Sequence, residues 1–481
     1  MAHLRLPPEL LLLVMKHIEK GESFRASRKS LLNAMLVNHE WAEASSYILW
    51  RSPPVSALAS VSADRRQYYA NKISELSCEN DEDAKYHATY KDLRFPRLKD
   101  LYIQGFKLRE DDKLHLTQYM QPQLKNLDLH GGSLCENDLA TLTSNCPRLK
   151  DLYLDESIDG AEQDHIVDFF RSCKSLEVVS LGDGWAALEP ESFAALAGHK
   201  GLQELYIGSV AAEFAVREGL STISAPFQNL QMLTMTLESE AVLPLASAVT
   251  SVHILHLTIE DSEYDALTSL GALKGLKSLK LTFLDDTELT QEGFRALECM
   301  KELRSLTMDS RGAPLSASWM DDNLFIKFTS KLPKLANLRL SLDLDITTTS
   351  LTALARAHPA FEYFDFFGEF EFSDWSRISK PLFPNLIRFV VEAPFIEGRT
   401  RRSADATVEE RASQIADVLF RHCPVLDQLS FHSYHENLLA QLVIKAYGAK
   451  VPGNFSTLMS TWFRDRDYRS KLYSETRIHH D

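Results

Sequence analysis

The chain has 481 residues, more than one compact core of ordinary size holds, so we expect several domains or a repeat architecture. Its 44% hydrophobic and 25% charged residues are typical of a globular protein and argue against a disordered or fibrous chain. The net charge of -15 argues against a broad surface for nucleic acid or anionic membranes, because such surfaces need an excess of Lys and Arg.

The chain begins with a leucine-rich stretch, LPPELLLLVMKHI, at residues 6–18. Its longest apolar run, residues 10–15, follows two prolines and a glutamate, and no small-residue cleavage site comes after it. No apolar run approaches the roughly 18 residues of a membrane-spanning helix. We therefore expect neither an export signal nor a membrane span here, and the apolar spacing predicts a helix.

Two further helical patterns follow this first helix. The second is SLLNAMLV at residues 30–37, and the third covers about residues 39–50. The first helix is apolar on more than one face. Three short helices cannot bury that much apolar surface among themselves, so we expect part of it to face a partner or the rest of the chain.

An L-x-x-L-x-L pattern recurs fourteen times along most of the remaining chain. Successive copies are mostly 22 to 28 residues apart, with wider gaps before Leu335 and Leu426. The copies begin at Ile73, Leu98, Leu124, Leu149, Leu176, Leu202, Leu230, Val252, Leu276, Leu303, Leu335, Phe361, Leu386 and Leu426.

Each copy has the alternation of a strand, with its fourth and sixth positions on one face and its third, fifth and seventh on the other. Apolar residues at helical spacing lie between the copies. A single unit cannot bury its leucine row, whereas stacked units bury it continuously. The pattern predicts an α/β fold that resembles the leucine-rich repeat fold, a curved solenoid with parallel β-strands on the concave face and helices on the convex face.

The six cysteines form no C-x-x-C pair, so no zinc or redox site is predicted. Cys146, Cys173 and Cys423 each lie three residues before the first leucine of a copy, which resembles the cysteine-containing repeat subtype. We interpret these thiols as packing residues in a reducing compartment, the cytoplasm or the nucleus.

Residues 4–52 resemble the F-box motif, on the Leu6-Pro7 start, the Val37-x-x-x-Trp41 step and the terminal Trp50, in that order. The loop at about residues 19–30 is longer than is usual in that motif. The whole chain resembles F-box proteins with leucine-rich repeats, in particular those of the fungal type. We predict an F-box domain at 1–55, a linker at 56–72, the solenoid at 73–433, and a C-terminal cap and tail at 434–481.

The resemblance implies a non-catalytic substrate-recognition subunit of a Skp/cullin/F-box type ubiquitin ligase, with no cofactor and no metal. The F-box of that family docks on a Skp-type adaptor, and through it on a cullin, while the repeats hold a substrate protein. The alternative is a repeat scaffold for protein interactions that is independent of ubiquitin ligation. Carried over by position, the adaptor-facing residues are Leu6, Pro7, Leu10, Leu11, Val14, Ile18, Leu36, Val37 and Trp41.

The third, fifth and seventh positions of the early copies, which are predicted to line the concave face, carry many acidic residues and tyrosines. We hypothesise that this row receives a substrate segment rich in Lys or Arg, with the tyrosines as flat contacts and cation–π partners. The alternative is an ordinary solvated strand face. The predicted substrate-binding residues are Asp100, Tyr102, Asp128, Asp151, Tyr153, Asp155, Glu204 and Tyr206.

Two further stretches leave alternatives open. Residues 361–375, FEYFDFFGEFEFSDW, are unusually aromatic, which is typical of either extra packing or an interface centre. An insertion that starts at residue 397 predicts an exposed loop. We find no phosphate loop, no nucleophile elbow and no H-E-x-x-H metal motif in the sequence, which argues against an enzyme.

Overall fold

The computed structural model describes residues 6–20, 24–79, 83–104, 116–130, 134–155, 163–183, 188–311, 315–395, 407–432 and 437–451. The chain divides into two compact units, residues 1–252 and 253–481. Among the described residues, no helix combines the length and the apolar character needed to cross a membrane.

The first unit opens with three helices, α1 (Pro8–Glu19), α2 (Phe24–Ala34) and α3 (His39–Leu49). Proline at the first position suits the start of α1, since its missing N–H needs no partner there. The side chain of Asn38 caps α3 by accepting from the Trp41 amide at 2.9 Å. The predicted long loop after residue 19 is wrong, because α2 already begins at Phe24 in a segment rich in the good helix formers Arg, Ala and Lys.

These helices enclose a small core of their own. Leu11 and Met15 of α1 meet residues of α2 and α3 there, and the Ser45 hydroxyl donates to the Met15 sulfur at 3.1 Å. A salt bridge of 2.8 Å between Lys72 and Glu43 joins α3 to the segment that follows. The buried core residues are Leu11, Met15, Leu31, Ala34, Ala44 and Ile48.

The segment predicted as a linker contains two short helices, α4 (Val55–Ala59) and α5 (Ala63–Ala70). Ser74 and Glu75 both bond through their amides to the carbonyl of Arg51, so the chain passes directly from the helices into the first strand. The position of the domain boundary stays a prediction.

The rest of the first unit alternates strands and helices. The strands pair in chain order, all parallel, and Leu101 of one strand aligns with Leu127 and Leu152 of the next two. The strands are β1 (Glu75–Cys78), β2 (Asp100–Gln104), β3 (Asn126–His130), β4 (Asp151–Leu154), β5 (Val178–Leu181), β6 (Glu204–Ala211) and β7 (Met232–Leu237). The helices are α6 (Ala84–Tyr90), α7 (Glu136–Asn145), α8 (Gln163–Ser172), α9 (Pro190–Ala197), α10 (Glu213–Ser221) and α11 (Val242–Ala248), with a 3₁₀ turn at Ser239–Ala241.

The second unit repeats this plan with additions. Its strands are β8 (Ile254–Ile259), β9 (Ser278–Phe283), β10 (Ser305–Ser310), β11 (Leu315–Asp321), β12 (Asn337–Leu340), β13 (Leu342–Asp345), β14 (Tyr363–Phe366), β15 (Glu369–Glu371), β16 (Arg388–Val391), β17 (Ala393–Phe395) and β18 (Gln428–Phe431). Its helices are α12 (Ala266–Ser269), α13 (Gln291–Leu297), α14 (Asp322–Ser330), α15 (Thr348–Ala357), α16 (Val408–His422) and α17 (Leu438–Gly448), with 3₁₀ turns at Leu270–Ala272 and Ser373–Arg377.

Within the second unit, β8, β9, β10, β12, β14, β16 and β18 form the main parallel sheet. The pairs β11–β13 and β15–β17 form two small parallel sheets that the repeat pattern did not predict. Each of the fourteen predicted copies forms a strand, which begins two residues after the first apolar position. The leucine-rich repeat solenoid, predicted from that pattern, is confirmed.

Several packing predictions are also confirmed. Cys146, Cys173 and Cys423 are buried free thiols, and burial raises the pKa of Cys146 to about 12. In the aromatic stretch, Phe370, Phe372 and Trp375 are fully buried, so most of it is core rather than interface.

The predicted loop from residue 397 lies outside the described residues as far as residue 406, and α16 begins just after it. Residues 452–481 of the predicted tail are likewise not described.

Candidate functional site

Several large apolar side chains on α1, on α2 and in the residues next to these two helices are exposed. They face solvent although the helices have a filled core of their own. Leu36, in the turn after α2, is 85% exposed. We call this set the apolar helical face, and its members are Leu6, Leu10, Leu13, Val14, Leu32, Leu36 and Val37.

Most of the predicted adaptor-facing residues lie on or beside the apolar helical face. Leu6, Pro7, Leu10, Val14, Leu36 and Val37 are exposed.

Three of the predicted residues point inward. Ile18 and Trp41 are partly buried against the helical core. Leu11 is 2% exposed inside that core, so its assignment to the surface is corrected: its side chain points toward α2 and α3 instead of outward. Leu13 and Leu32 were missed, although the sequence already showed leucines outside the predicted stripe.

The predicted substrate-binding residues form two adjacent rows across the strands of the first unit. Parallel register sets Asp100, Asn126 and Asp151 side by side in the first row, which continues through Val178 to Glu204. The second row runs through Tyr102, Asp128, Tyr153, Ser180 and Tyr206 in the same order. Asp155 follows β4 and is exposed.

The first row is less uniformly acidic than the sequence predicted. The Asn126 amide donates to the Asp100 carboxylate, and Val178 separates Asp151 from Glu204. Burial raises the pKa of Asp151, and the charge of Glu177 nearby raises it further while Lys150 lowers it. The carboxylates therefore lie close enough to repel one another. A bound cation would reduce this repulsion.

A histidine that the sequence analysis missed lies among these carboxylates. The His130 Nε2 atom is 2.8 Å from the Asp128 Oδ1 atom, and its Nδ1 atom is 4.0 Å from the Asp155 Oδ2 atom. The hydrogen bond with Asp128 raises the pKa of His130 against the opposing effect of burial. Its place at the seventh position of the copy at Leu124 was the signal that could have identified it.

Two tyrosines of the second row are held by hydrogen bonds within the sheet. The Tyr206 hydroxyl donates to the Glu204 carboxylate at 3.0 Å, and the Tyr102 hydroxyl donates to Gln104 at 2.5 Å. The Tyr102 and His130 rings lie 5.7 Å apart. The strand face thus presents oriented aromatic rings between carboxylates, an arrangement that suits a cationic side chain.

The strand face of the second unit carries a mixed charge network. Asp365 is contacted by His432 at 3.1 Å and by Arg339 and Arg388 at 3.7 Å each, and Arg339 also pairs with Asp309 at 3.0 Å. These groups largely neutralise one another. Among the described residues of the chain, no cluster of His, Cys, Asp and Glu side chains is arranged to hold a metal ion.

Comparison with known proteins finds one family. Residues 66–274, less than half of the chain, match the model for the leucine-rich repeats of the FBD-associated F-box protein At5g56370. That match supports an F-box and leucine-rich repeat assignment, whereas the fungal type stays a prediction. No curated protein is significantly similar to the chain in sequence.

Two solved structures are similar to the chain at low identity. The plant peptide hormone receptor RGFR1, solved in complex with RGF2, is 14% identical over 68% of this chain and 52% of the receptor chain, with a TM-score of 0.35. This chain thus spans about half the length of that receptor chain. A chain of the yeast Rad7 and Elc1 complex is 16% identical over 75% of this chain and 91% of its own length, with a TM-score of 0.39.

Proposed function

We propose that this chain is the substrate-recognition subunit of a Skp/cullin/F-box type ubiquitin ligase. In this proposal the apolar helical face binds a Skp-type adaptor, which connects the chain to a cullin, and the repeats hold the substrate protein. The chain itself forms and breaks no covalent bond. The match of residues 66–274 to the repeats of an F-box protein supports the family on which the proposal rests.

The observation that carries the proposal is the exposure of the apolar helical face. The helical core is already filled by α1, α2 and α3, so these side chains are not needed to hold the three helices together. Burying one leucine or valine against a partner gains about 1.5–3 kcal/mol, and seven of them are exposed on α1, on α2 and next to these helices. Exposed apolar side chains in this number on so small a group of helices are typical of a docking site for another protein.

The test is adaptor capture by the purified full-length chain. The double variant Leu10→Asp/Val14→Asp places two charges on the apolar helical face, and we expect it to lose binding to a Skp-type adaptor in a pull-down assay. Leu243→Asp is the matched control, because Leu243 is an exposed leucine on α11, away from the three helices. Adaptor binding by the double variant, or none by the wild type, would leave the repeat scaffold as the better account.

We further propose that the two rows on the strands of the first unit receive a basic substrate segment. Asp128, Asp151 and Asp155 supply carboxylates beside the oriented rings of Tyr102 and Tyr206. Reversing the three aspartates to Lys is expected to abolish substrate capture while adaptor binding stays intact. Partner lists obtained by mass spectrometry from wild type and variant check this, and an unchanged list would reject the strand face as the substrate surface.

A further inference from the structure

A line of basic side chains lies at the edge of the first unit where its strands begin. The loops that lead into β2–β6 each contribute to it. Backbone hydrogen bonds run along this edge: the Lys125 amide donates to the Lys99 carbonyl, and the Lys150 amide donates to the Lys125 carbonyl, both at 2.7 Å. We call this set the basic edge, and its members are Lys99, Lys125, Arg148, Lys150, Lys174 and Lys200.

An open cleft of about 480 Å³ lies at one end of the basic edge, where the loops lead into β4–β7. Three of its lining residues, Lys150, Lys174 and Lys200, are cationic, and Glu177 is its one acidic lining residue. Glu177 pairs with Lys150. Lys174 and Lys200 are exposed, and no ion pair with them is found among the described residues. The cleft therefore carries two uncompensated positive charges in a chain whose net charge is -15.

The remaining cleft lining is polar and suits carboxylates. Gln203 and Gln231 supply side-chain amides, whereas the Ser175 hydroxyl already donates to the Pro147 carbonyl at 2.8 Å. An added side chain at Gly201 would come within 2.8 Å of the Leu176 carbonyl, so the two loops approach closely beside the cleft. Ammonium groups and amide donors side by side are the groups that bind carboxylate oxygens.

We infer that the basic edge binds an acidic segment of a protein partner. The loops before five adjacent strands, about 4.8 Å apart, span about 19 Å, which is the length of roughly six extended residues. The positive charges are spread along that length and do not converge on one point. A row of Asp and Glu side chains on an extended segment requires charges that are spread in this way. This surface is distinct from the apolar helical face and prefers the opposite charge to the strand rows, so the inference does not depend on the proposed function.

The surroundings argue against nucleic acid as the occupant. Neither the basic edge nor the cleft lining includes an aromatic side chain on which a base could stack. A short acidic peptide avoids this difficulty, because it needs no stacking surface.

The experiment measures the binding of fluorescein-labelled hexaglutamate to the full-length chain by fluorescence anisotropy at low ionic strength. Lys174→Glu/Lys200→Glu is expected to weaken binding by roughly tenfold or more, since it reverses the two uncompensated charges. Lys274→Glu/Lys327→Glu is the matched control, because it makes the same change of net charge at exposed lysines of the second unit. We expect the control to stay within about twofold of wild type.

Three results would overturn the inference. The first is that wild type fails to bind hexaglutamate. The second is that the control variant loses as much affinity as Lys174→Glu/Lys200→Glu, which would reduce the effect to net charge. The third is that a single-stranded oligonucleotide binds more tightly than hexaglutamate and with the same sensitivity to the two edge lysines, which would make nucleic acid the occupant.

Discussion

Substitutions of Leu36 and Leu11 test two properties of the same small group of helices separately. The first tests the proposed docking of the adaptor, and the second tests the stability of the fold. Leu36 is 85% exposed, and Leu36→Ala removes three carbons worth about 0.8 kcal/mol each when they are buried. If the adaptor covers the exposed fraction, the loss is about 2 kcal/mol, a roughly thirtyfold weaker Kd. The free energy of unfolding should stay within about 0.5 kcal/mol of wild type, because the side chain makes little contact within the chain.

Leu11→Ala is the matched counterpart with the same chemical change in the core. Leu11 is 2% exposed beside Met15 and Ile48, so we expect the free energy of unfolding to fall by about 2–4 kcal/mol. The adaptor Kd should change much less than in Leu36→Ala under conditions where the variant stays folded. The apolar helical face stays in place as long as the helices do.

Isothermal titration calorimetry with a purified Skp-type adaptor measures the Kd, and urea unfolding followed by tryptophan fluorescence measures the stability of both variants. We expect the Kd to change in Leu36→Ala and the free energy of unfolding to change in Leu11→Ala. The reasoning fails if Leu36→Ala leaves the Kd within about twofold of wild type while wild type binds. It also fails if Leu11→Ala weakens adaptor binding as much as Leu36→Ala without loss of stability.

Burial lowers the pKa of His87 from 6.5 to about 4. Between pH 6.5 and about 4 the His87 side chain is therefore protonated in the unfolded chain but not in the folded chain, so the free energy of unfolding falls as the pH is lowered. From pH 7 to 5 this costs roughly 2 kcal/mol, which His87→Phe should remove from the pH dependence of urea unfolding. Gly182→Ala places a Cβ 2.6 Å from the Asp155 carbonyl and should cost about 1–3 kcal/mol in thermal unfolding, whereas Gly275→Ala meets nothing within 4 Å and should be nearly neutral. Asp365→Asn removes the negative charge that two arginines and a histidine share, and we expect chemical denaturation to show a loss of about 1–2 kcal/mol.

The repeat pattern predicted the main strands well because each strand is a local event. Alternation in a sequence such as LKNLDL at Leu124 sets which side chains face the helices, whatever the neighbouring repeat contains. The small sheets β11–β13 and β15–β17 were not predictable in this way. Their strands lie outside the repeat pattern and form only because the loops that carry them come together, which is a tertiary effect.

The candidate site was predicted less completely, for the same reason. The sequence shows that α1 is apolar on two sides, but the side that packs inward depends on where α2 and α3 dock, and so Leu11 was assigned to the wrong side. Asn126 and Val178, by contrast, interrupt the acidic row at the third position of their copies, which the sequence already shows. The basic edge combines residues of five loops, and its alignment along one edge appears only when the strands are stacked.

The regular register also limits how such a surface changes. Side chains at one position of successive repeats stand whole numbers of strand spacings apart, so the distance between two binding groups takes discrete values in steps of about 4.8 Å. Duplication or loss of a repeat changes that distance by one step while the remaining strands keep neighbours of the same kind. The distance between two such groups is therefore adjustable through the number of repeats alone. The register shift between β6 and β7 after Ile207 marks a place where that even stepping is broken.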